Sequence, residues 1–239
     1  GNIGVVENKG FEATINANII KTKDFNWNLS VNYSMDKNKV TELYEGADIL
    51  SNENEREKSV FLNQSLNSIY TYKYGGIANE SNREQWEGIT YYGKTVGLGD
   101  IYVLDLSGPD GKPDGIIDQH DRTIVGKSDP KFYGGFSTNL SWKNIDLSAV
   151  FGYSVGGEIY NYDRSMYDSD GAYVNYNQMN LRDDWNRWEK PGDIATHPKA
   201  EYGNKSQSSK GSSRYLEDAS YLRLRSLTLG YTLPLQLNM

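Results

Sequence analysis

The feature that most constrains this fold is a strict alternation of apolar and polar residues in several separated stretches. In FEATINANI, residues 11 to 19, every odd-numbered side chain is apolar and every even-numbered one is polar. WNLSVNYSM, residues 27 to 35, repeats the pattern, and only a short connection separates the two stretches. Because successive side chains of a β-strand point to opposite faces, this period predicts an antiparallel hairpin with one apolar face.

A second pair of stretches has the same design. Residues 136 to 142, FSTNLSW, and residues 145 to 153, IDLSAVFGY, also alternate, and only Lys143-Asn144 separates them. Two residues are the commonest length of a β-hairpin turn, so this pair predicts a second hairpin.

The last alternating stretch, residues 221 to 233, contains one irregularity. Its apolar side chains are at odd-numbered positions: Leu227, Leu229, Tyr231 and Leu233. Nearer the start of the stretch, Arg223 and Arg225 also occupy odd-numbered positions. A β-bulge or an interfacial position is needed there, because an extra residue moves the alternation to the other face. The whole pattern predicts an all-β fold with antiparallel strands over about residues 10–20, 26–37, 132–142, 145–155 and 220–233.

The length and polarity of these strands favour a membrane wall over a globular sandwich. Each spans about nine to eleven residues, the length that crosses a hydrocarbon layer at a tilt of roughly 45°, whereas sandwich strands have about five or six. The polar face carries Asn, Ser and Thr, as expected for the wall of a water-filled lumen. Trp27 and Trp142 lie beside the short turns, where an aromatic girdle would place them.

The connections between the strands alternate between short and long. Short turns follow the first and third strands, and long loops span about residues 38–131 and 156–219. Transmembrane β-barrels have this asymmetry, with short periplasmic turns and long extracellular loops. Five strands cannot close a barrel that needs at least about eight, so the chain is predicted to form an arc of a larger wall. It begins without Met and ends after a strand-like segment, so we expect a piece of a longer protein.

Composition excludes several other classes of protein. The net charge of −7 leaves no basic stripe to replace the counterions of a phosphate backbone, so nucleic acid is not an expected partner. The two histidines, His120 and His197, are far apart in sequence, outside any nucleophile or zinc motif, and are predicted to be loop surface residues. No pair of carboxylates stands out for acid–base work, so we do not expect an enzyme.

Acidic residues concentrate in one segment of the first long loop, DLSGPDGKPDGIIDQHD, residues 105 to 121. The candidate metal ligands are its five aspartates: Asp105, Asp110, Asp114, Asp118 and Asp121. Counted from Asp110, the segment has the spacing of a calcium loop except at position three, which is Lys112. Calcium is therefore a candidate cofactor, and a solvated Asp/Gly turn is the alternative. Both interpretations are structural, and neither is catalytic.

Aromatic residues concentrate in the second long loop. Trp185 and Trp188 lie three residues apart in a charged segment, and we expect them to pack the loop together. A preceding run is rich in tyrosine, and contact with a ligand is a weaker prediction for this run: Tyr160, Tyr162, Tyr167, Tyr173 and Tyr176.

Five segments, in this order, resemble the SusC/RagA-like TonB-linked outer-membrane proteins, which are nutrient transporters of Bacteroidetes. They are VENKGFEATINANI with FNWNLSVNYSMDKNKVTEL, SIYTYKYGGI, the segment from GDIYVLDL to GGEIYN, RWEKPGD, and SSRYLEDASYLRLRSLTLGYTLP. The acidic loop departs from the family pattern, since Ser107 replaces an Asn and Gly-Pro-Asp-Gly lengthens it. That departure puts the ligand assignment in doubt, and not the family.

The resemblance implies the architecture of the whole protein. It implies a barrel of roughly 22 strands around an N-terminal plug, located in the bacterial outer membrane and capped by a SusD-like surface lipoprotein. The plug, the TonB-contacting region and the final strands would then be absent from this chain. TonB would drive active uptake of nutrients, most commonly oligosaccharides, with peptides second.

A soluble secreted β-sandwich that binds calcium and carbohydrate is the rival interpretation. The two differ in where the apolar faces go. In a barrel, one parity of every strand points to lipid; in a sandwich, the same side chains interdigitate with a second sheet: Phe11, Ile15, Leu29, Val31, Leu147 and Phe151.

Overall fold

The computed structural model describes residues 3–52, 58–175, 180–203 and 205–234. The strands are β1 (Gly4–Lys21), β2 (Phe25–Leu43), β3 (Ser68–Tyr72), β4 (Tyr74–Ile77), β5 (Thr90–Tyr91), β6 (Lys94–Thr95), β7 (Ile101–Val103), β8 (Ile116–Ile117), β9 (Arg122–Lys127), β10 (Phe132–Trp142), β11 (Ile145–Val155), β12 (Glu158–Tyr160), β13 (Leu216–Asp218) and β14 (Tyr221–Tyr231).

Helices are few and short in the described chain. The α-helix α1 spans Tyr162–Tyr167, and single 3₁₀ turns occur at Tyr44–Gly46, Glu80–Gln85, Gln119–Asp121 and Ser213–Tyr215. Among the described residues, no helix has the length and apolar character needed to cross a membrane.

The five long strands form one antiparallel sheet in the order β1-β2-β10-β11-β14. The hairpin turns, residues 22–24 and 143–144, lie side by side, because the Lys143 N–H donates to the carbonyl of Asp24 at 2.8 Å. The long connections leave from the opposite end of the sheet. The predicted antiparallel arc is therefore confirmed, and within the described residues the sheet is open at β1 and β14.

The first two strands are longer than the alternation predicted, with 18 residues in β1 and 19 in β2. Their ladder continues past Lys9 and Lys37 to Leu43, beyond the apolar part of the pattern. The charged residues in this part of the sequence indicated a loop. The two strands nevertheless stay paired, because the hydrogen bonds of a β-ladder are made by the backbone and not by the side chains. The first long connection thus starts at Tyr44 instead of residue 38.

A β-bulge accounts for the two arginines in β14. Val150 pairs with Ser226 and Phe151 with Leu224, so Arg225 is the extra residue. Arg225 covers Gly152, where a Cβ would collide with its side chain. The bulge keeps both arginines on the polar face and the leucines on the apolar face, as the sequence irregularity required. Two further register shifts occur in β1, between Val5 and Val6 and between Asn18 and Ile20, and neither was predicted from the sequence.

One face of the sheet is apolar and uncovered. A row across all five strands at mid-height joins Ile15, Val31, Phe136, Phe151 and Leu224. On the two edge strands the side chains of this face are strongly exposed, for example 67% for Ile15 and 74% for Leu229, and on the central strands Val31, Phe136 and Phe151 are partly exposed. A sandwich would bury such side chains against a second sheet, and no described strand outside this sheet pairs into a layer of comparable size.

The buried core lies in the first long connection and not against the sheet. It consists of Tyr72, Ala78, Trp86, Ile89, Tyr91, Val96, Ile101, Tyr102, Val103 and Ile117. Short strands from this connection build it, including the pairs β4–β7 and β5–β6, and one parallel pair, β5–β8. The long loop is therefore a packed body with its own core, and the apolar face of the sheet is left uncovered by the described residues.

Candidate functional site

The polar face of the five-stranded sheet is the candidate substrate-facing surface, and we call it the amide face. One register row crosses it as Asn18, Asn28, Asn139, Ser148 and Thr228. Its alternation with the apolar face follows directly from the period of two in each strand. Amides and hydroxyls thus form a hydrophilic row on the side away from the apolar residues, and the same face also carries the charged Glu12, Arg223 and Arg225.

Hydrogen bonds between neighbouring strands orient the side chains of the amide face. The Ser30 hydroxyl donates to the side-chain oxygen of Asn16 at 2.7 Å, and the Ser148 hydroxyl donates to that of Asn139 at 2.7 Å. With the amide oxygens accepting, the amide N–H groups are directed away from these bonds. A cleft of about 240 Å³ lies among Asn16, Asn28, Asn139 and their neighbours. Such a surface can donate to and accept from hydroxyl or peptide groups without a charge.

Each of the five predicted metal ligands has at least one side-chain oxygen that accepts from a backbone N–H group. Asp110 accepts from the Lys112 N–H, Asp114 from Ile116 and Asp118 from His120. Asp121 is fully buried and accepts from the backbone N–H groups of Leu106, Ser107 and Asp118. These are the bonds of Asx turns and caps. Within the described ranges, no three His, Asp or Glu side chains converge as a metal-holding group.

Asp105 is the one ligand candidate with an unsatisfied oxygen. Its Oδ2 accepts from the Gly115 N–H at 2.6 Å, whereas its Oδ1 is buried without a partner. Burial, together with the nearby Asp121 carboxylate, raises the pKa of Asp105 above its ordinary value. Calcium stays a prediction.

The tyrosines proposed as ligand contacts separate into two groups. Tyr160 is buried and packs against the rings of Tyr162 and Tyr215, with centroids 4.7 and 6.1 Å apart. The other three are at least two-fifths exposed, and they are Tyr162, Tyr167 and Tyr173. Tyr173 and Tyr202 line a cleft of about 310 Å³. Tyr176 lies outside the described residues. Ligand contact therefore stays a prediction, with accessible rings at three of the four described positions.

A buried ionic cluster, which we call the loop hub, was not predicted. It consists of Asp168, Asp170, Arg164, Arg187, His197, Arg214 and Tyr215. Arg214 bridges the two aspartates, with 2.6 Å to Asp170 and 3.3 Å to Asp168. Arg187 binds the second oxygen of Asp170 at 2.7 Å. The hub ties α1 and residues 182–215 of the second long loop together.

The prediction that both histidines are surface residues is wrong for His197. Its ring is 1% exposed and lies 3.1 Å from the Asp168 carboxylate. Burial alone would raise the pKa of Asp168, but the hydrogen bond from His197 and the charges of Arg214 and Arg164 hold that pKa below its ordinary value. The burial of Tyr215 raises its pKa, so the phenol stays neutral. The centre of the hub is buried and its carboxylates are paired with cations, so the hub is structural.

The tryptophan pair packs as predicted. The Trp188 ring lies against Gly99, where a Cβ would collide with it, and so joins the second long loop to the first. Trp185 packs on the His197 ring, with centroids 4.6 Å apart.

Comparison with known proteins gives consistent relatives. The chain is 33% identical to a TonB-dependent receptor of Formosa agariphila over 98% of its own length and 22% of the relative. It is 26% identical to the TonB-dependent receptor SusC of Bacteroides thetaiotaomicron, over 97% of the chain and 21% of SusC. Its fold is similar to a solved chain of the RagAB peptide transporter, with a TM-score of 0.72 and 27% identity over 98% of the chain and 24% of that chain.

The chain therefore spans about a fifth of the relatives that it matches. No family model matches it.

Proposed function

We propose that this chain, a SusC/RagA-like part of a TonB-dependent receptor, forms one side of the wall and two extracellular loops of an outer-membrane transporter for nutrient uptake. The observation that carries the proposal is the sheet with one uncovered apolar face and one amide face. An apolar outer face and a polar lumen face are what a barrel wall requires in lipid.

The partner proteins and the coupling of uptake to TonB would be properties of the whole protein. A SusD-like surface lipoprotein would cap the extracellular loops, and TonB would act through a region outside this chain. Asp105 and its neighbours would hold calcium as a structural ion in the first loop. The exposed tyrosines of the second loop would contact substrate near the mouth of the barrel.

Oligosaccharides are the substrate class that the amide face favours. Asn and Ser side chains match the hydroxyl groups of a neutral sugar, and the cleft among Asn16, Asn28 and Asn139 contains no charged side chain. Peptides are the second candidate, because the RagAB relative is a peptide transporter.

Two measurements on the full-length parent test the proposal. Cell fractionation with a high-salt, alkaline wash should leave the parent in the outer-membrane pellet until detergent is added. Growth of a deletion strain on oligosaccharides or on peptides as sole carbon source should fail for one of the two classes. A parent found in the soluble fraction would contradict the membrane assignment, and unchanged growth on both classes would contradict the substrate assignment.

A further inference from the structure

A basic cavity lies at the loop end of the first hairpin, at the level where the apolar band ends. It has a volume of about 750 Å³, and its charged lining residues are Glu7, Lys9, Lys37, Lys39 and Lys127. Four positive charges against one negative charge give this cavity a net charge of +3 in a chain whose net charge is −7. We call it the lysine cavity.

The strand register places the side chains of Glu7, Lys9, Lys37 and Lys39 on the apolar side of the sheet. Lys9 pairs with Lys37, and two residues further along the same ladder Phe11 pairs with Met35, without a register shift between them. Side chains two residues apart share a face, so Lys9 and Lys37 extend the apolar face that contains Phe11. At about 3.4 Å per residue, the Cα atoms of Lys9 and Lys37 lie roughly 7 Å further along the strands than those of Phe11 and Met35.

An aromatic row marks this height as an interface. The rings of Phe11, Tyr33, Phe132 and Tyr153 contact one another in sequence across four strands, with centroid separations of 6.4, 5.5 and 6.2 Å. Aromatic belts of membrane proteins lie at the level of the lipid headgroups. The lysine cavity therefore opens at the headgroup level on the outside of the wall.

The lysines lack sufficient negative partners of their own. Lys9 forms an ion pair with Glu7 at 2.7 Å, but Lys37, Lys39 and Lys127 form none with any residue that the structure describes. Glu158 accepts from the Lys127 backbone N–H and does not line the cavity. Like charges directly opposite each other, as at Lys9 and Lys37, destabilise a β-ladder, so a bound anion would offset this cost.

We propose that the lysine cavity binds the phosphate group of a membrane lipid headgroup. Lysine binds phosphate as a point charge, and clustered lysines beside an apolar surface attract anionic headgroups. The acyl chains would lie against Phe11 and Ile15 below the cavity. The proposal rests on the outer-membrane assignment made above.

The test uses the purified full-length parent in detergent, titrated with a phosphorylated glycolipid or its dephosphorylated form and observed by native mass spectrometry. We expect binding of the phosphorylated lipid, and Lys37→Gln with Lys39→Gln should lower its affinity by about fivefold per lysine. Lys37→Arg with Lys39→Arg should keep the affinity. Lys21→Gln with Lys23→Gln, at the opposite end of the same hairpin, is the matched control and should have no effect.

The outcomes separate this proposal from the proposed function. Equal binding of both lipids, or unchanged binding by the Gln variant, would overturn the lysine cavity alone if the parent remains in the outer membrane. If inorganic phosphate displaces the lipid more strongly than chloride does at the same ionic strength, the cavity is a site for free phosphate and the lipid proposal is overturned. A parent absent from the outer membrane would overturn both proposals.

Discussion

At the scale of single residues, Arg214 is the buried cation that pairs with both aspartates of the loop hub. It is 6% exposed and binds both Asp168 and Asp170, which are themselves buried. Removing one partner of a buried ion pair leaves an uncompensated charge, so we expect Arg214→Met to destabilise the loop hub by about 3–5 kcal/mol. Hydrogen exchange of residues 160–175 and 205–218 in the intact parent would measure the change. The exposed Lys190→Ala serves as control, and equal protection in both variants would contradict the role of Arg214.

The loop hub should also respond to acid. Because the pKa of Asp168 is below its ordinary value of 3.8 in the folded state, the ionised carboxylate stabilises the loop above that pH. This stabilisation is lost as the pH falls from about 4 through the folded pKa. Hydrogen-exchange protection of the hub, measured at successive pH values below 6, should begin to fall once the pH drops below about 4. Asp168→Asn should weaken the protection already at pH 6 and remove this pH dependence, and a variant with the same pH dependence as the wild type would contradict the assignment.

Asp105 provides the test of calcium. Its buried, unpaired oxygen and raised pKa disfavour the ionised form, and a bound cation would reverse that preference. Calcium should therefore raise the melting temperature of the parent, a chelator should lower it, and Asp105→Asn should abolish the response. The exposed Asp184→Asn should leave the response intact. A melting temperature that is independent of calcium would contradict calcium binding and support the alternative, a solvated Asp/Gly turn.

Residue-scale features were the least predictable from sequence. Asp168 and His197 are 29 residues apart and Asp168 and Arg214 are 46 apart, with no spacing that marks them as partners. Their contact depends on how the second long loop folds back, which local periodicity does not encode. The acidic loop was visible because its residues are close in sequence, yet which oxygens remain free depends on the turns they cap.

At the scale of the elements, periodicity carried most of the information. The alternation located all five long strands, and the misplaced parity of Arg223 and Arg225 pointed to the bulge that the structure contains. The ends of β1 and β2 were predicted less well, because a ladder held by backbone hydrogen bonds continues past the last apolar side chain. Short strands such as β5 and β8 have two residues each and no period to detect.

The bulge at Arg225 can be tested by changing the number of residues. Deletion of Arg225 removes only the unpaired residue, so Leu224 stays on the apolar face, Arg223 stays on the amide face and the ladder becomes regular. We therefore expect the deletion variant to reach the outer membrane as folded protein. An Ala inserted between Arg223 and Leu224 would instead turn Arg223 to the apolar face and Leu222 to the amide face, so the amount of folded protein should decrease. Equal amounts of heat-modifiable protein from the two variants on a denaturing gel would contradict the bulge.

At the scale of the whole molecule, the chain divides its apolar residues between two environments. The first long loop buries its own core around Tyr91, Tyr102 and Trp86, as a soluble protein does. The sheet instead exposes Ile15 and Leu229 on one face. A hydrophobic fraction of 37% is therefore sufficient, because only the loops need a conventional core.

Because of this division, the same substitution should be costly at one position of β1 and nearly neutral at the adjacent position. Ile15 lies in the middle row of the apolar face, and Thr14 lies on the amide face. Ile15→Arg places a guanidinium in the hydrocarbon layer and should cost about 2–4 kcal/mol of unfolding free energy, whereas Thr14→Arg faces water and should cost little. Urea titration of the parent in lipid vesicles, read from heat-modifiable migration, measures both values. Equal destabilisation by the two variants would mean that both faces meet the same solvent, and the sheet would then not be a membrane wall.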